Sequence, residues 1–274
     1  MVSVPIEYSA VAVGVAALTC YGIILWNLGQ RNRALVYFEM AANVLVMLGF
    51  VALIFQVADK LVEILFKESF GIGGLPGAEA VKIASERLAR AHSLAVHWIK
   101  YIAAVRAALS LMPFLSSLSL VLGAATDWCV YSLSVAASTF LALSVLSRIL
   151  SHLMPPFLVF SATLTTLPRL RKIGASLLSV YLVMGVALCI AGSIAHDTCE
   201  RLDSQGLTPP ISDWDTLVSS INPLVWREVP DKAAKATWEL FGAAINCMLS
   251  VIVGTALTAA ASIALGGVYI SLRV

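Results

Sequence analysis

The sequence has little charge. Only 12% of its residues are Asp, Glu, Lys or Arg, about half the share found in ordinary soluble domains, whereas 59% are hydrophobic. The mean hydropathy is +0.90. So few charged groups cannot cover the surface of a 29.1 kDa globule in water. A soluble enzyme, a disordered chain and a basic nucleic-acid-binding module are therefore disfavoured. We expect an all-α, polytopic membrane protein that forms a single integral membrane domain over residues 1–274.

Residues typical of metal sites and of catalysis are few and dispersed. Four of the five cysteines lie in apolar runs, where cysteine behaves as a small hydrophobe, and only Cys199 lies in a polar segment, where its pairing stays open. His92 and His97 are five residues apart, which does not match the i, i+4 spacing of a helical metal site. We predict that the chain is not an enzyme and has no catalytic residue, metal ion or cofactor.

Two further absences exclude classes of ligand. The glycine-rich residues 71–77 lack the GxxxxGK[ST] pattern of a phosphate loop and follow no strand, so we interpret them as a turn between helices and predict no bound nucleotide. Residues 238–270 contain no lysine, which excludes a retinal Schiff base in the last apolar segment.

Seven segments are apolar, and about 20 such residues cross a bilayer as a helix. They are residues 9–28, 34–57, 101–125, 129–150, 157–167, 173–194 and 238–270. We expect a kink at Pro113 in the third and a tight turn at Asp127 after it. The fifth is short, so it either begins near Leu150 and bends at Pro155 and Pro156 or is re-entrant, which would leave six spans.

Short basic segments indicate which helix ends face the cytoplasm. Arg31 and Arg33 follow the first span, and Arg273 follows the seventh. The fifth span is followed by Arg169, Arg171 and Lys172, which we term the cytoplasmic basic junction. With seven spans all of them lie on one side of a cell membrane. The amino terminus is then outside, the carboxyl terminus is cytoplasmic, and the polar segments 58–100 and 196–237 are extracellular. The second of these is an acidic loop.

Segment 58–100 has a helical pattern that continues into the third span. Its apolar stripe repeats at alternating spacings of three and four residues and comprises Val81, Ala84, Leu88, Ala91, Ala95, Trp98, Ile102, Val105 and Leu109. A sustained heptad needs a partner helix. We predict an extracellular antiparallel helical hairpin, formed by extensions of the second and third spans, in which Val81, Leu88, Ala95 and Trp98 face the partner.

Four ionisable residues lie in or near the predicted spans: Glu39, Arg106, Asp127 and Arg148. Charges at membrane depth are costly, so such residues either reach the interface or line a lumen or form ion pairs. Both interpretations stay open here. The many hydroxylated and small residues of the later spans likewise suit close helix packing or a wet passage.

Residues 167–174, Leu-Pro-Arg-Leu-Arg-Lys-Ile-Gly, lie between a proline-marked span and the apolar run 175–194. This junction resembles the "arginine, any residue, isoleucine-glycine" junction of the polytopic membrane channel subunits of type IV secretion and conjugation systems. Those are the TrbL-like proteins and, in the compact archaeal form that is most similar, CedA of the crenarchaeal DNA-import system. The predicted topology is similar as well.

The resemblance implies a membrane channel or scaffold subunit of a DNA-translocation complex. Such a subunit helps form the passage for single-stranded DNA, together with a small pilin-like membrane subunit and a cytoplasmic ATPase that supplies the energy. Two other functions stay open: a small-solute membrane transporter, and a structural membrane partner of an extracellular protein. A transporter usually has internal repeats with matching broken helices, and no sequence repeat pairs the proline breaks of this chain.

Overall fold

The computed structural model describes residues 6–66, 77–110, 116–166, 170–209 and 223–267, and within these ranges every regular element is a helix. The elements are α1 (Ile6–Asn27), α2 (Arg31–Phe66), α3 (Gly77–Ser110), α4 (Ser116–Thr166), α5 (Arg171–Ser179), a π-helical segment (Val180–Met184), α6 (Gly185–Ser204) and α7 (Pro223–Gly267). The all-α prediction is confirmed for the described residues.

Three of the described helical stretches are long and apolar enough to cross a membrane. They are Ser117–Leu164 in α4, Lys172–Ser204 across α5, the π-helical segment and α6, and Glu228–Ile263 in α7. Val11–Asn27 in α1 is apolar but shorter. The first long stretch overlaps the predicted spans four and five, and the other two overlap spans six and seven. These helices are compatible with a membrane protein.

The predicted third span, residues 101–125, does not form one helix. Arg106 of α3 and Asp127 of α4 are 21 residues apart in the chain, yet Nη1 of the first lies 2.6 Å from Oδ1 of the second. A continuous helix would separate them by about 32 Å. The span is therefore wrong, and so is the tight turn at Asp127, because this residue lies inside α4. Pro113 lies outside the described residues.

The predicted fourth and fifth spans are one helix. α4 continues through Pro155 and Pro156 and has 51 residues. A helical N–H bonds to the carbonyl four residues earlier, so the two prolines leave the carbonyls of Ser151 and His152 without their usual donors. Apolar helices tolerate such a loss where the rest of the helix is packed. Met154 and Leu158, on either side of the prolines, are fully buried.

The chain divides into two compact units. The first contains Met1–Lys82, Ser147–Cys189 and Val251–Val274, and the second, which we term the four-helix unit, contains Ile83–Leu146 and Ile190–Ser250. The four-helix unit is therefore built from most of α3, the first part of α4, the last part of α6 and the first part of α7.

In the first unit, α1 and α2 form a hairpin. Gly29 turns the chain between them with φ +77°, a left-handed conformation that favours glycine. Tyr21 packs edge-on against Tyr37 at 4.7 Å between ring centroids. A pocket of about 290 Å³ lies between the middle of α1, Val44 of α2 and Val159–Thr163 of α4. These parts of the three helices are therefore neighbours.

The polar segment 196–237 is helical at both ends. α6 continues to Ser204, and α7 already begins at Pro223. Ion pairs four residues apart, Glu228–Lys232 and Asp231–Lys235, both at 2.8 Å, support the first turns of α7. Residues 210–222 lie outside the described part of the chain.

Candidate functional site

The helices of the four-helix unit alternate in direction. Contacts between α3 and α4 join Ser85 to Ser144, His92 to Ala137 and Arg106 to Asp127, so these two helices are antiparallel. Contacts between α3 and α6 join Ala84 to Gly192 and Trp98 to Leu207, so this pair is parallel. α6 and α7 are antiparallel, because Ala191 contacts Cys247 and Arg201 contacts Glu239. The unit is an up-down-up-down bundle.

The apolar stripe of α3 forms the core of this bundle. Its members Leu88, Ala91, Ala95 and Ile102 have no exposed surface. The predicted partner-facing residues Val81, Leu88, Ala95 and Trp98 are all at most 1% exposed. They are buried within the chain itself, so they offer no surface to a docked partner. The side chains of the α2 extension, and with them the predicted pairing of α2 with α3, lie outside the described residues.

Buried hydroxyl groups fix the register of α3 against α4. Ser85 Oγ donates to the carbonyl of Ser144 at 3.2 Å, and Ser144 Oγ donates back to the carbonyl of Ser85 at 3.0 Å. Two turns further along, Nδ1 of His92 lies 2.9 Å from the carbonyl oxygen of Ala137. Hydrogen bonds of this kind are typical of closely packed apolar helices.

Small residues bring α3, α6 and α7 close together. A Cβ added at Gly192 would lie 2.7 Å from the Cα and from the Cβ of Ala84, so α3 passes directly over this glycine. On the other side of α6, Cys247 Sγ donates to the carbonyl of Ala191 at 3.2 Å. At Gly192 and Ala191, the small residues therefore serve close helix packing, one of the two roles that the sequence leaves open for them.

The end of α6 positions a hydrogen bond for Trp98. Gly206 adopts φ +64°, and the N–H of Leu207 returns to the carbonyl of Leu202 at 2.9 Å, as in a Schellman motif. This turn directs the Leu207 carbonyl at Nε1 of Trp98, which donates to it at 3.1 Å. Trp98 thus joins α3 to the end of α6.

A pocket of about 180 Å³ lies beside this junction. Tyr101 of α3 and Glu228 and Lys232 of α7 contribute to its walls. Burial raises the pKa of the Tyr101 phenol above its ordinary value, and the positive charge of Lys232 acts in the opposite direction. The phenol is therefore neutral at physiological pH.

The structure brings together two of the four candidate lumen or ion-pair residues. Arg106 and Asp127 form an ion pair whose side chains are 35% and 65% exposed, and such pairs contribute about 0–1 kcal/mol. Glu39 Oε1 is buried in the first unit, and no hydrogen-bond partner for it is found among the described residues. Arg148 is exposed on α4. A lumen lined by these residues stays a prediction.

The basic junction is only partly described. Arg169 and the side chain of Arg171 lie outside the described residues, and Lys172 is exposed at the start of α5.

The five cysteines are free, and Cys199 is buried. Within the described ranges, no group of three or more His, Cys, Asp or Glu side chains could hold a metal ion.

A feature of α4 was missed from the sequence. Every third or fourth residue along one side of this helix is exposed, and nearly all of these residues are apolar. This exposed seam comprises Val121, Ala124, Trp128, Tyr131, Val135, Ser138, Ala142 and Val145. Tyr131 is 74% exposed, and the hydroxyl of Ser138 donates to the carbonyl of Val135 in its own helix. The spacing is readable in the sequence, but α4 is apolar on all sides, so the exposed side could not be singled out.

A groove next to the exposed seam is lined by Trp128 of α4 and by Trp238, Lys235 and Glu239 of α7. Trp238 is 75% exposed. Two exposed indoles therefore lie on neighbouring helices at one side of the four-helix unit.

Comparison with known proteins finds no protein-family model, no curated protein and no solved structure that matches the chain.

Proposed function

We propose that the chain is a multi-pass membrane subunit of a multi-protein translocation complex, and that its four-helix unit is the part on which the complex assembles. The observation that supports this most is the exposed seam. It lies on a helix of 51 residues, whereas about 20 helical residues are enough to cross the hydrocarbon core of a bilayer. More than half of α4 is therefore outside the hydrocarbon.

Two parts of α4 are free of Asp, Glu, Lys and Arg and are long enough to cross, residues 128–147 and 149–166. We favour the second. It contains Val159 and Thr163, which line the pocket shared with the middle of α1, and α1 is itself free of charged residues from Tyr8 to Gln30. Arg148 then stands at one interface, and α4 continues from there for 18 residues, about 27 Å, to its end at Thr166.

The first part of α4 is unsuited to the hydrocarbon because of its neighbour. Residues 128–144 run beside α3, whose exposed side carries Glu86, Arg90 and Lys100. Placing these charges at membrane depth costs several kcal/mol, about 2.5–3.5 for a single Lys or Arg at the centre of a helix. The four-helix unit is thus outside the hydrocarbon.

An apolar seam outside the hydrocarbon requires a protein to cover it. Exposed contiguous apolar surface on a water-soluble unit marks an interaction site. A self-contained solute transporter has no need of such a surface, whereas a subunit of a larger assembly does. The seam therefore favours a scaffold or channel subunit.

The proposed crossings are five: α1, α2, the later part of α4, the stretch through α5 and α6, and the later part of α7. This count leaves the predicted orientation unchanged. The basic segments after α1, after α4 and after α7 still lie on one side, which the positive-inside rule assigns to the cytoplasm. The amino terminus and the four-helix unit are then outside, and the carboxyl terminus is cytoplasmic.

Single-stranded DNA is the cargo that the resemblance at residues 167–174 suggests, and we propose conjugation-like DNA import as the process. The partners in this proposal are a small pilin-like membrane subunit and a cytoplasmic ATPase. The chain acts as a structural part of the passage rather than as an enzyme.

The experiment measures DNA uptake and partner recovery in source cells that carry the full chain. Deletion is expected to abolish uptake. Tyr131→Asp, within the exposed seam, is expected to reduce uptake and co-purification of the partners, because it places a charge in the proposed contact. Ser93→Asp is the control, since Ser93 is exposed on α3 rather than on α4. Exchange of a small solute by the purified protein, reconstituted alone, would contradict the proposal and favour a transporter.

A further inference from the structure

The turn between α1 and α2 carries two arginines that no carboxylate balances. Arg31 and Arg33 are exposed, and among the described residues neither has an ion-pair partner. In the four-helix unit, by contrast, Arg90, Arg106 and Arg201 each pair with a carboxylate. The turn therefore presents two positive charges that are free to meet an anion.

The guanidinium groups at this turn keep most of their hydrogen-bond donors available. The Arg31 guanidinium lies over the ring of Trp26, 5.5 Å from the ring centroid. Stacking uses the face of the guanidinium, so the N–H groups at its edge stay available. Arg33 Nη1 donates to Oε1 of Gln30 at 3.3 Å, which uses one of the five N–H groups of that side chain. Both arginines line one pocket of about 460 Å³, which is formed by residues 29–33.

Apolar side chains flank this turn on both helices. Leu28, at the end of α1, is 68% exposed, and Leu35 and Val36, in the second turn of α2, are each 45% exposed. α1 has no charged residue from Tyr8 to Gln30, so in the proposed function the hydrocarbon ends next to this turn. A soluble anion would cover the arginines and leave the apolar groups in water. A membrane lipid, which carries its anionic headgroup directly beside its acyl chains, covers both.

We propose that the headgroup of an anionic phospholipid binds at the turn between α1 and α2. Arg31 and Arg33 donate to its phosphate oxygens, and its acyl chains lie against the flanking apolar side chains. Guanidinium groups bind phosphate through paired N–H donors, and such charge-assisted hydrogen bonds are about twice as strong as neutral ones. Trp26 is 44% exposed beside them, as is usual for indoles at the headgroup level of a membrane. The position of the turn in the membrane rests on the proposed function, whereas the attraction for an anion rests on the two arginines.

Lipid binding to the full-length protein in a neutral detergent tests this. Native mass spectrometry measures the affinities for a phosphatidylglycerol and for a phosphatidylcholine with the same acyl chains, and we expect the anionic lipid to bind more tightly. The double variant Arg31→Gln with Arg33→Gln should lose about fivefold in affinity for phosphatidylglycerol for each arginine, or about 25-fold for both. Its affinity for phosphatidylcholine should change little.

The matched control is Lys100→Gln with Lys235→Gln, which removes the same charge from exposed positions of the four-helix unit and should leave the lipid affinities unchanged. An equal loss in the two double variants, or equal binding of both lipids by the parent chain, would overturn the proposal. Displacement of bound phosphatidylglycerol by millimolar glycerol phosphate would assign the site to a soluble phosphate and would overturn it as well.

Extraction of membranes with alkaline carbonate tests the membrane crossing separately. A protein that carbonate releases would contradict the proposed function. A protein that stays in the membrane but shows no preference for phosphatidylglycerol would contradict the lipid site alone.

Discussion

Replacing Gly192 by alanine should destabilise the four-helix unit, although alanine is the better helix former. The new Cβ would lie 2.7 Å from the Cα and from the Cβ of Ala84 and 3.3 Å from its carbonyl oxygen. These are backbone or rigid atoms, so α3 must move away from α6. Overpacking of this kind costs about 1–3 kcal/mol, and the gain in helix propensity returns about 0.5–1 kcal/mol. We expect a net loss of about 1 kcal/mol, the difference between the middle values of these two ranges.

The measurement is the thermal unfolding midpoint in detergent, followed by circular dichroism. A loss of this size corresponds to a decrease of about 2–4 °C in the unfolding midpoint of a chain of this length. Gly242→Ala is the matched control, because Gly242 lies in α7 and no atom comes within 4 Å of an added Cβ there. It should raise the midpoint by about 1–4 °C. A Gly192→Ala protein as stable as the Gly242→Ala protein would refute the close approach of α3 and α6.

Two further substitutions test the contacts that hold the bundle together. Trp98→Phe removes the donor to the Leu207 carbonyl and leaves that carbonyl unsatisfied, so the free energy of unfolding should fall by about 1–3 kcal/mol. Trp238→Phe is the control at an exposed indole, and it should change this free energy by less than about 0.5 kcal/mol. Equal effects in denaturant titrations would contradict the assignment. Ser85→Ala and Ser144→Ala should each cost about 0.5–1.5 kcal/mol, because each hydroxyl donates across the helix pair. Parental stability of both variants would show that these bonds do not form.

The sequence predicted the core of the four-helix unit well at α3. An amphipathic helix in a mostly apolar chain stands out, and its stripe from Val81 to Leu109 is buried along its whole length. What the pattern could not specify is which helices cover the stripe. Contacts such as Trp98 to Leu207 join residues 109 apart in the chain, and a repeat spacing contains no information about such partners.

The errors in the predicted spans have one physical cause. Apolar composition indicates that a residue is buried, but protein can bury an apolar residue as well as lipid can. Residues 101–110 are therefore part of the bundle core beside α4 rather than the start of a span, as the contact between Arg106 and Asp127 shows. Likewise, α4 continues through Pro155 and Pro156, so these prolines do not separate two spans.

The central claim is that α4 crosses the membrane with its later half and exposes its first half on one side. Labelling of single cysteines at Ser134 and at Phe160, both exposed on α4, with a membrane-impermeant maleimide in sealed proteoliposomes or intact cells tests it directly. The account predicts that the cysteine at position 134 is labelled from the outside without lysis, and that the cysteine at position 160 is labelled only after the membrane is dissolved. Protection at position 134 together with labelling at position 160 would contradict it.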